Sequence, residues 1–180
     1  IPNTVAKASV EVARLGVWMF NIHASGGSEM MRRTVENVGE VCDKSNLRKP
    51  KIIGVTVLTS SNRETLAETG IENEVGSQVL KLAELSSENG LDGIVASPLE
   101  ISLIRENIKV ANFLIVTPGI RAKTAENVER IETLDDQKRV MTAAEALRNG
   151  SNYLVIGRPI LQAENKLQAI RQILREIETV

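Results

Sequence analysis

Gly157 and Arg158 close an apolar run, Tyr153-Leu154-Val155-Ile156, and Pro159 follows them. A glycine at the end of such a run lets a ligand come close to the backbone. An arginine beside it offers a planar fork of donors suited to a phosphate or carboxylate. Arg121 repeats the arrangement at the end of Pro118-Gly119-Ile120-Arg121, after a second apolar run from Phe113 to Thr117. Gln137 lies between the two in a long polar segment and could donate its amide as that segment closes over a ligand. Two arginines, backbone N–H groups and an amide could together neutralise a phosphate monoester. The competing reading makes the same residues solvated charges in tight turns.

Other chemistry-bearing residues are sparse. His23, the lone histidine, ends an apolar run and could serve as an acid or base, although a hydrogen-bonded residue at a core edge is the commoner role for such a position. Ser25-Gly26-Gly27 is equally compatible with a phosphate-binding turn and with a tight strand–helix connection. The chain has no G-x-G-x-x-G, no P-loop and no Cys/His spacing of a zinc site. Cys42, the single cysteine, falls in a helical pattern and reads as a buried, inert thiol; its solitude excludes an internal disulfide and suggests the cytoplasm. No lysine stands at a strand end among carboxylates, so the chain offers no convincing proton donor of its own.

The elements that must position these residues follow from periodicity. The 180 residues are 42% hydrophobic and 25% charged, with a net charge of -1, as in an ordinary globular protein, and a single domain over 1–180 is expected. Neither this charge nor four aromatic residues suits a nucleic-acid surface, and no apolar run is long enough to cross a membrane. A first helix, with Asn3 and Thr4 as capping residues, would bury Val5, Ala8, Val12 and Leu15. Strands are expected at Val17–His23, Lys51–Thr59, Asp92–Ser97, Phe113–Thr117 and Tyr153–Ile156. Helices follow each, the last burying Leu167, Ile170, Ile173, Leu174 and Ile177. The segment 122–139 reads as a long mobile loop, a feature usually tied to function. A short extra helix is expected over Ile160 to Ala163.

Strict alternation implies an α/β fold with a parallel sheet, either doubly wound or barrel-forming. His23, Thr59, Ser97, Pro118-Gly119 and Gly157-Arg158 all fall at C-terminal strand ends, the face that carries the site in a (β/α)8 TIM barrel. Such a barrel has eight strands and about 250 residues. The chain would then carry the last five strand–helix units, with three more expected ahead of Ile1. Its last two strands would be those that commonly build a phosphate site.

Taken together, these segments resemble a known family. Ile1-Pro2-Asn3-Thr4, Asn21 to Gly27, Gly54 to Ser60, Leu91 to Ser97, Val116 to Arg121, Asp136 to Thr142 and Tyr153 to Pro159 are similar, in order and spacing, to the bacterial orotidine 5'-monophosphate decarboxylases. VTPGIR, DQKRVMT and VIGRP form the specific combination, and Ala143 stands where the family often has proline. The resemblance implies a homodimeric barrel converting orotidine monophosphate to UMP without metal or organic cofactor. It implies that Arg121, Gln137, Gly157 and Arg158 hold the phosphate. Thr59 would lie near the pyrimidine or ribose, Pro118 would pack on the base, and Thr4 would reach the neighbouring subunit's substrate. The family's catalytic Asp-x-Lys-x-x-Asp directly precedes Ile-Pro-Asn-Thr, so its lysine and aspartates are expected ahead of Ile1, and no catalytic residue is expected within these 180. A related sugar-phosphate decarboxylase or aldolase barrel, or a non-catalytic nucleotide-binding fragment, would share the phosphate corner.

Overall fold

The computed structural model describes residues 1–120, 141–178 and 180. Five strands, β1 (Met19–His23), β2 (Lys51–Val55), β3 (Gly93–Val95), β4 (Leu114–Pro118) and β5 (Tyr153–Val155), form one sheet in sequential order, every neighbouring pair parallel. The helices are α1 (Pro2–Arg14), α2 (Ser28–Lys44), α3 (Arg63–Glu68), α4 (Val75–Glu88), α5 (Ile101–Asn107), α6 (Ala143–Arg148), α7 (Arg158–Leu161) and α8 (Lys166–Ile177). A doubly wound sheet reverses its strand order at a switch point. This order never reverses, so the winding is that of a barrel.

The two faces of the sheet differ accordingly. Phe20, Ile22, Ile52, Ile94, Ile115 and Leu154 belong to or pack on two hydrophobic clusters shared with the helices, so they form the outer face. Gly54 shares this face, and a Cβ there would lie 2.6 Å from Ser86 Oγ of α4, so helix and sheet meet closely. The alternate residues are outside both clusters and point the other way: Asn21 is in register with Ile53, Gly93 and Leu114, and His23 with Val55, Val95, Val116 and Tyr153.

This inner face is concave. The edge strands of a flat five-stranded sheet would be about 19 Å apart. Yet the rings of Trp18, just before β1, and Tyr153, on β5, meet edge to face with centroids 5.1 Å apart. Moreover, the register leads from Tyr153 to His23, whereas across the concavity Tyr153 meets Trp18, five residues earlier. Such a stagger is the tilt that a closing barrel imposes on its strands. The chain is therefore part of a (β/α) barrel, with the ring pair meeting across the N-terminal end of its concave face.

Several expectations are corrected. Pro2 opens α1, with Ile1 at the cap position and no side-chain cap from Asn3 or Thr4. The buried stripe of α1 is Ala6, Ser9 and Ala13, while Ala8 and Leu15 are exposed. Small residues face α2 because the two helices pack closely, and the larger apolar residues flank that seam. The second strand ends at Val55; Thr56 next to it donates both its N–H (3.3 Å) and its hydroxyl (2.8 Å) to Val95 O. A short α3, capped by Asn62 accepting from Thr65 N, occupies a stretch that reads as merely polar. In α8 only Ile173 is buried; Leu167 is 67% and Leu174 48% exposed. β5 reads as a strand buried on both faces but is an edge strand, with Val155 53% exposed. The fourth strand runs Leu114–Pro118, one residue later than expected. The expected loop 122–139 lies outside the described residues.

Candidate active site

All five strands point their C-terminal ends the same way, so the residues that follow them form one rim. β4 and β5 are adjacent there, with Pro118 paired to Val155. Gly157 follows two residues later and caps α7, and Arg158 is the first residue of that helix, with Pro159 next. The expected extra helix is thus present but begins at Arg158, because Pro159 suits a first helical turn. Arg158 is exposed. A Cβ added at Gly157 would meet nothing within 4 Å, and its φ of -106° is not in the left-handed region. The space over its backbone is therefore open to a ligand. Gly119 is different: its φ of +80° is a backbone requirement.

The Pro118–Gly157 corner rests on a firm base. Thr117, fully buried, shares a hydrogen bond of 2.7 Å with Ser151 Oγ, whose hydroxyl also reaches Ile115 O (3.3 Å) and Tyr153 O (3.1 Å). This buried hydroxyl pair ties β4 to the start of β5. On either side of Ser151, Arg105 of α5 donates to Gly150 O (3.0 and 2.7 Å) and to Asn152 Oδ1 (2.6 Å), and also to Phe113 O (2.7 Å) just before β4. Burial draws its guanidinium below the usual arginine value, and the four hydrogen bonds offset that desolvation. Neither device was visible in the sequence, where Arg105 stands 45 residues from Gly150 and Thr117 34 residues from Ser151.

The other candidate residues are placed as follows. Thr59 is exposed in the turn after β2, on the same rim. Thr4 is exposed in the first turn of α1. Arg121 and Gln137 lie outside the described residues. Ser25 and Gly26 belong to a short 3-10 turn, and Gly27, with φ +85° and ψ 171°, adopts a conformation nearly confined to glycine. The tight strand–helix connection is thereby sufficient to explain Gly27. His23 is exposed at the rim end of β1, not satisfied at a core edge as the commoner reading of such a histidine would have it. Cys42 is buried, 2% exposed. Among the described residues no three metal-ligating side chains stand together, and no helix is long and apolar enough to cross a membrane. A groove of about 400 Å³ wraps the free edge of β5 and α8, lined by Leu147, Tyr153, Ile160, Ile170 and Leu174 among others; it is apolar and distant in character from the rim.

A curved parallel sheet, helices on its outer face and an open glycine–arginine corner on the C-terminal rim are the features of a (β/α)-barrel enzyme. Comparison with known proteins narrows this. Residues 1–173 match the model of the orotidine 5'-phosphate decarboxylase / HUMPS family. The chain is 53% identical over 177 residues to orotidine 5'-phosphate decarboxylase of Geobacter sulfurreducens and 51% identical over 177 residues to that of Geotalea daltonii. Each match covers 98% of this chain and 70% of the relative. A crystal structure of orotidine 5'-phosphate decarboxylase from Lactobacillus acidophilus superposes with a TM-score of 0.78 at 33% identity, over 98% of this chain and 70% of that one. The chain belongs to the orotidine 5'-phosphate decarboxylase / HUMPS family.

Proposed function

We propose that the protein decarboxylates orotidine 5'-monophosphate to UMP in pyrimidine nucleotide biosynthesis, and that its C-terminal rim holds the substrate. The observation that carries the reading is the Gly157–Arg158 corner: a glycine with open space over its backbone, beside an exposed arginine, at the end of β5 in a barrel whose relatives are decarboxylases of this nucleotide. Arg158 and the backbone at Gly157 take the phosphate, joined by Arg121 and Gln137. Pro118 offers an apolar wall to the pyrimidine, and Thr59 stands near the ribose or base.

The reaction breaks the bond between the ring and the carboxylate. Carbon dioxide leaves, the bonding electron pair stays on the ring carbon as a vinyl carbanion, and a proton must be delivered there. Stabilising that charge is the task of a cation fixed by carboxylates. The resemblance assigns it to the lysine of an Asp-x-Lys-x-x-Asp signature, which these 180 residues do not contain. What this chain supplies is binding energy remote from the reacting carbon. Held at the phosphate, the nucleotide is anchored and oriented, and that energy can be spent on ordering the site. Thr4, exposed on α1, fits a contact reaching the site of a second subunit in a homodimer, and the lone buried Cys42 fits a cytoplasmic protein.

The direct test follows the ultraviolet absorbance change as orotidine monophosphate becomes UMP. Turnover, with inhibition by UMP and none by a pentose phosphate, is the expected result. Inhibition by the pentose phosphate with no turnover of the nucleotide would favour the sugar-phosphate branch of the family.

A further inference from the structure

Beyond Lys51 and Tyr153, the first residues of β2 and β5, the inner face of these strands is apolar, and Ile53, Val55 and Val116 are 1%, 9% and 7% exposed. β1 departs from this: its inner-face residues Asn21 and His23 are both polar and both exposed. Among the described residues neither side chain makes a hydrogen bond or ion pair, and on this edge strand both stand open to a ligand. The only other ionisable residues on the inner face of the strands are Lys51, bonded to Asp92 (2.7 Å) at the N-terminal end, and Tyr153, packed on Trp18.

Position then relates this polar strip to the Gly157 corner. Trp18 and Tyr153 touch across the concavity and set a common floor. From that floor β1 rises five residues to His23, about 16 Å, and β5 rises four residues to Gly157, about 13 Å. His23 thus stands at nearly the height of the Gly157–Arg158 corner, on the facing wall, with Asn21 one layer beneath it. A nucleoside monophosphate anchored by its phosphate at one wall extends its sugar and base across the opening.

We propose that His23, with Asn21, is a specificity-determining wall of the site, hydrogen-bonding the sugar or base of the nucleotide whose phosphate is held opposite. This rests on the proposed function and deepens it, since it assigns the non-phosphate end of the substrate to β1. Imidazole suits the role because one ring nitrogen donates while the other accepts, and a rigid strand holds it.

The test pairs kinetics with a spectroscopic readout. His23→Leu is expected to lower kcat/KM for orotidine monophosphate by ~10-fold or more, roughly the value of a lost hydrogen bond to an unpaired substrate group. His23→Asn, which keeps a donor and an acceptor, is expected to recover most of it. The imidazole signal of His23 in a proton–carbon NMR spectrum, identified by its loss in His23→Asn, is expected to move on saturation with UMP. Saturable UMP binding that leaves this signal in place, or a His23→Leu protein with kcat/KM within twofold of the parent, would overturn the inference alone. Absence of any saturable UMP binding would overturn it together with the proposed function.

Discussion

Arg158 and Gly157 carry the sharpest residue-scale expectations because they separate binding from folding. Arg158→Ala should raise KM and lower kcat together, by about 100-fold in kcat/KM, the scale of one charge-assisted contact removed. Gly157→Ala should leave the thermal midpoint within about 2 °C of the parent, since its Cβ meets nothing, while weakening UMP binding measured by calorimetry. A drop in stability with unchanged binding would make Gly157 a purely structural residue. These two positions were legible in the sequence because an apolar run that stops at glycine and arginine is a local pattern. Thr117 and Ser151 were not: their buried hydrogen bond joins residues 34 apart, and no window of sequence contains both. Thr117→Val should cost about 1–3 kcal/mol in chemical denaturation by leaving Ser151 with one partner fewer.

At the scale of elements, the existence of the strands and their succession along the chain were readable, while their ends and their order in the sheet were not. The run of apolar residues from Lys51 to Thr59 says nothing about where the strand stops, and the structure ends it at Val55, with Thr56 donating its N–H and its hydroxyl to Val95 O. In α1 the large apolar residues suggested the buried stripe, yet close packing on α2 selected Ala6, Ser9 and Ala13. Close approach also decides Gly93, where a Cβ would lie 2.2 Å from Leu114 O on β4. Gly93→Ala should therefore destabilise by ~3 kcal/mol or more, seen as a lowered denaturation midpoint or loss of soluble protein. A change below ~0.5 kcal/mol would mean that β3 and β4 are spaced more widely than described. On α2, hydrogen bonds from Arg32 and Arg33 hold the Glu29 carboxyl below its ordinary value. The sign is that of a depressed acid: its contribution is present above the ordinary glutamate range and lost as pH falls through the folded value, and solvent screening of the half-exposed carboxyl keeps it small.

For the molecule as a whole, the contact between Trp18 and Tyr153 is what turns a list of strands into a barrel wall. Sequence alternation left two windings open, and only strand order and the stagger across the concave face chose between them. The same geometry explains why the burial expected of β5 and α8 failed: β5 is a sheet edge, and Val155, Leu167 and Leu174 are exposed along it. Such an apolar edge favours association. The 180-residue chain should therefore elute from size-exclusion columns at a concentration-dependent size, and Leu167→Lys with Leu174→Lys should reduce that dependence; no change would show that association uses another surface.

The most direct test of the account compares orotidine monophosphate with orotidine, its phosphate-free counterpart, in the enzyme and in Arg158→Ala, by ultraviolet assay of decarboxylation. The account expects the enzyme to turn over the nucleotide, Arg158→Ala to lose about 100-fold in kcat/KM on it, and the two proteins to act alike on orotidine, since the interaction is absent there. An equal loss on both substrates would contradict the phosphate role of Arg158, and no decarboxylation of the nucleotide by the enzyme would contradict the proposed function.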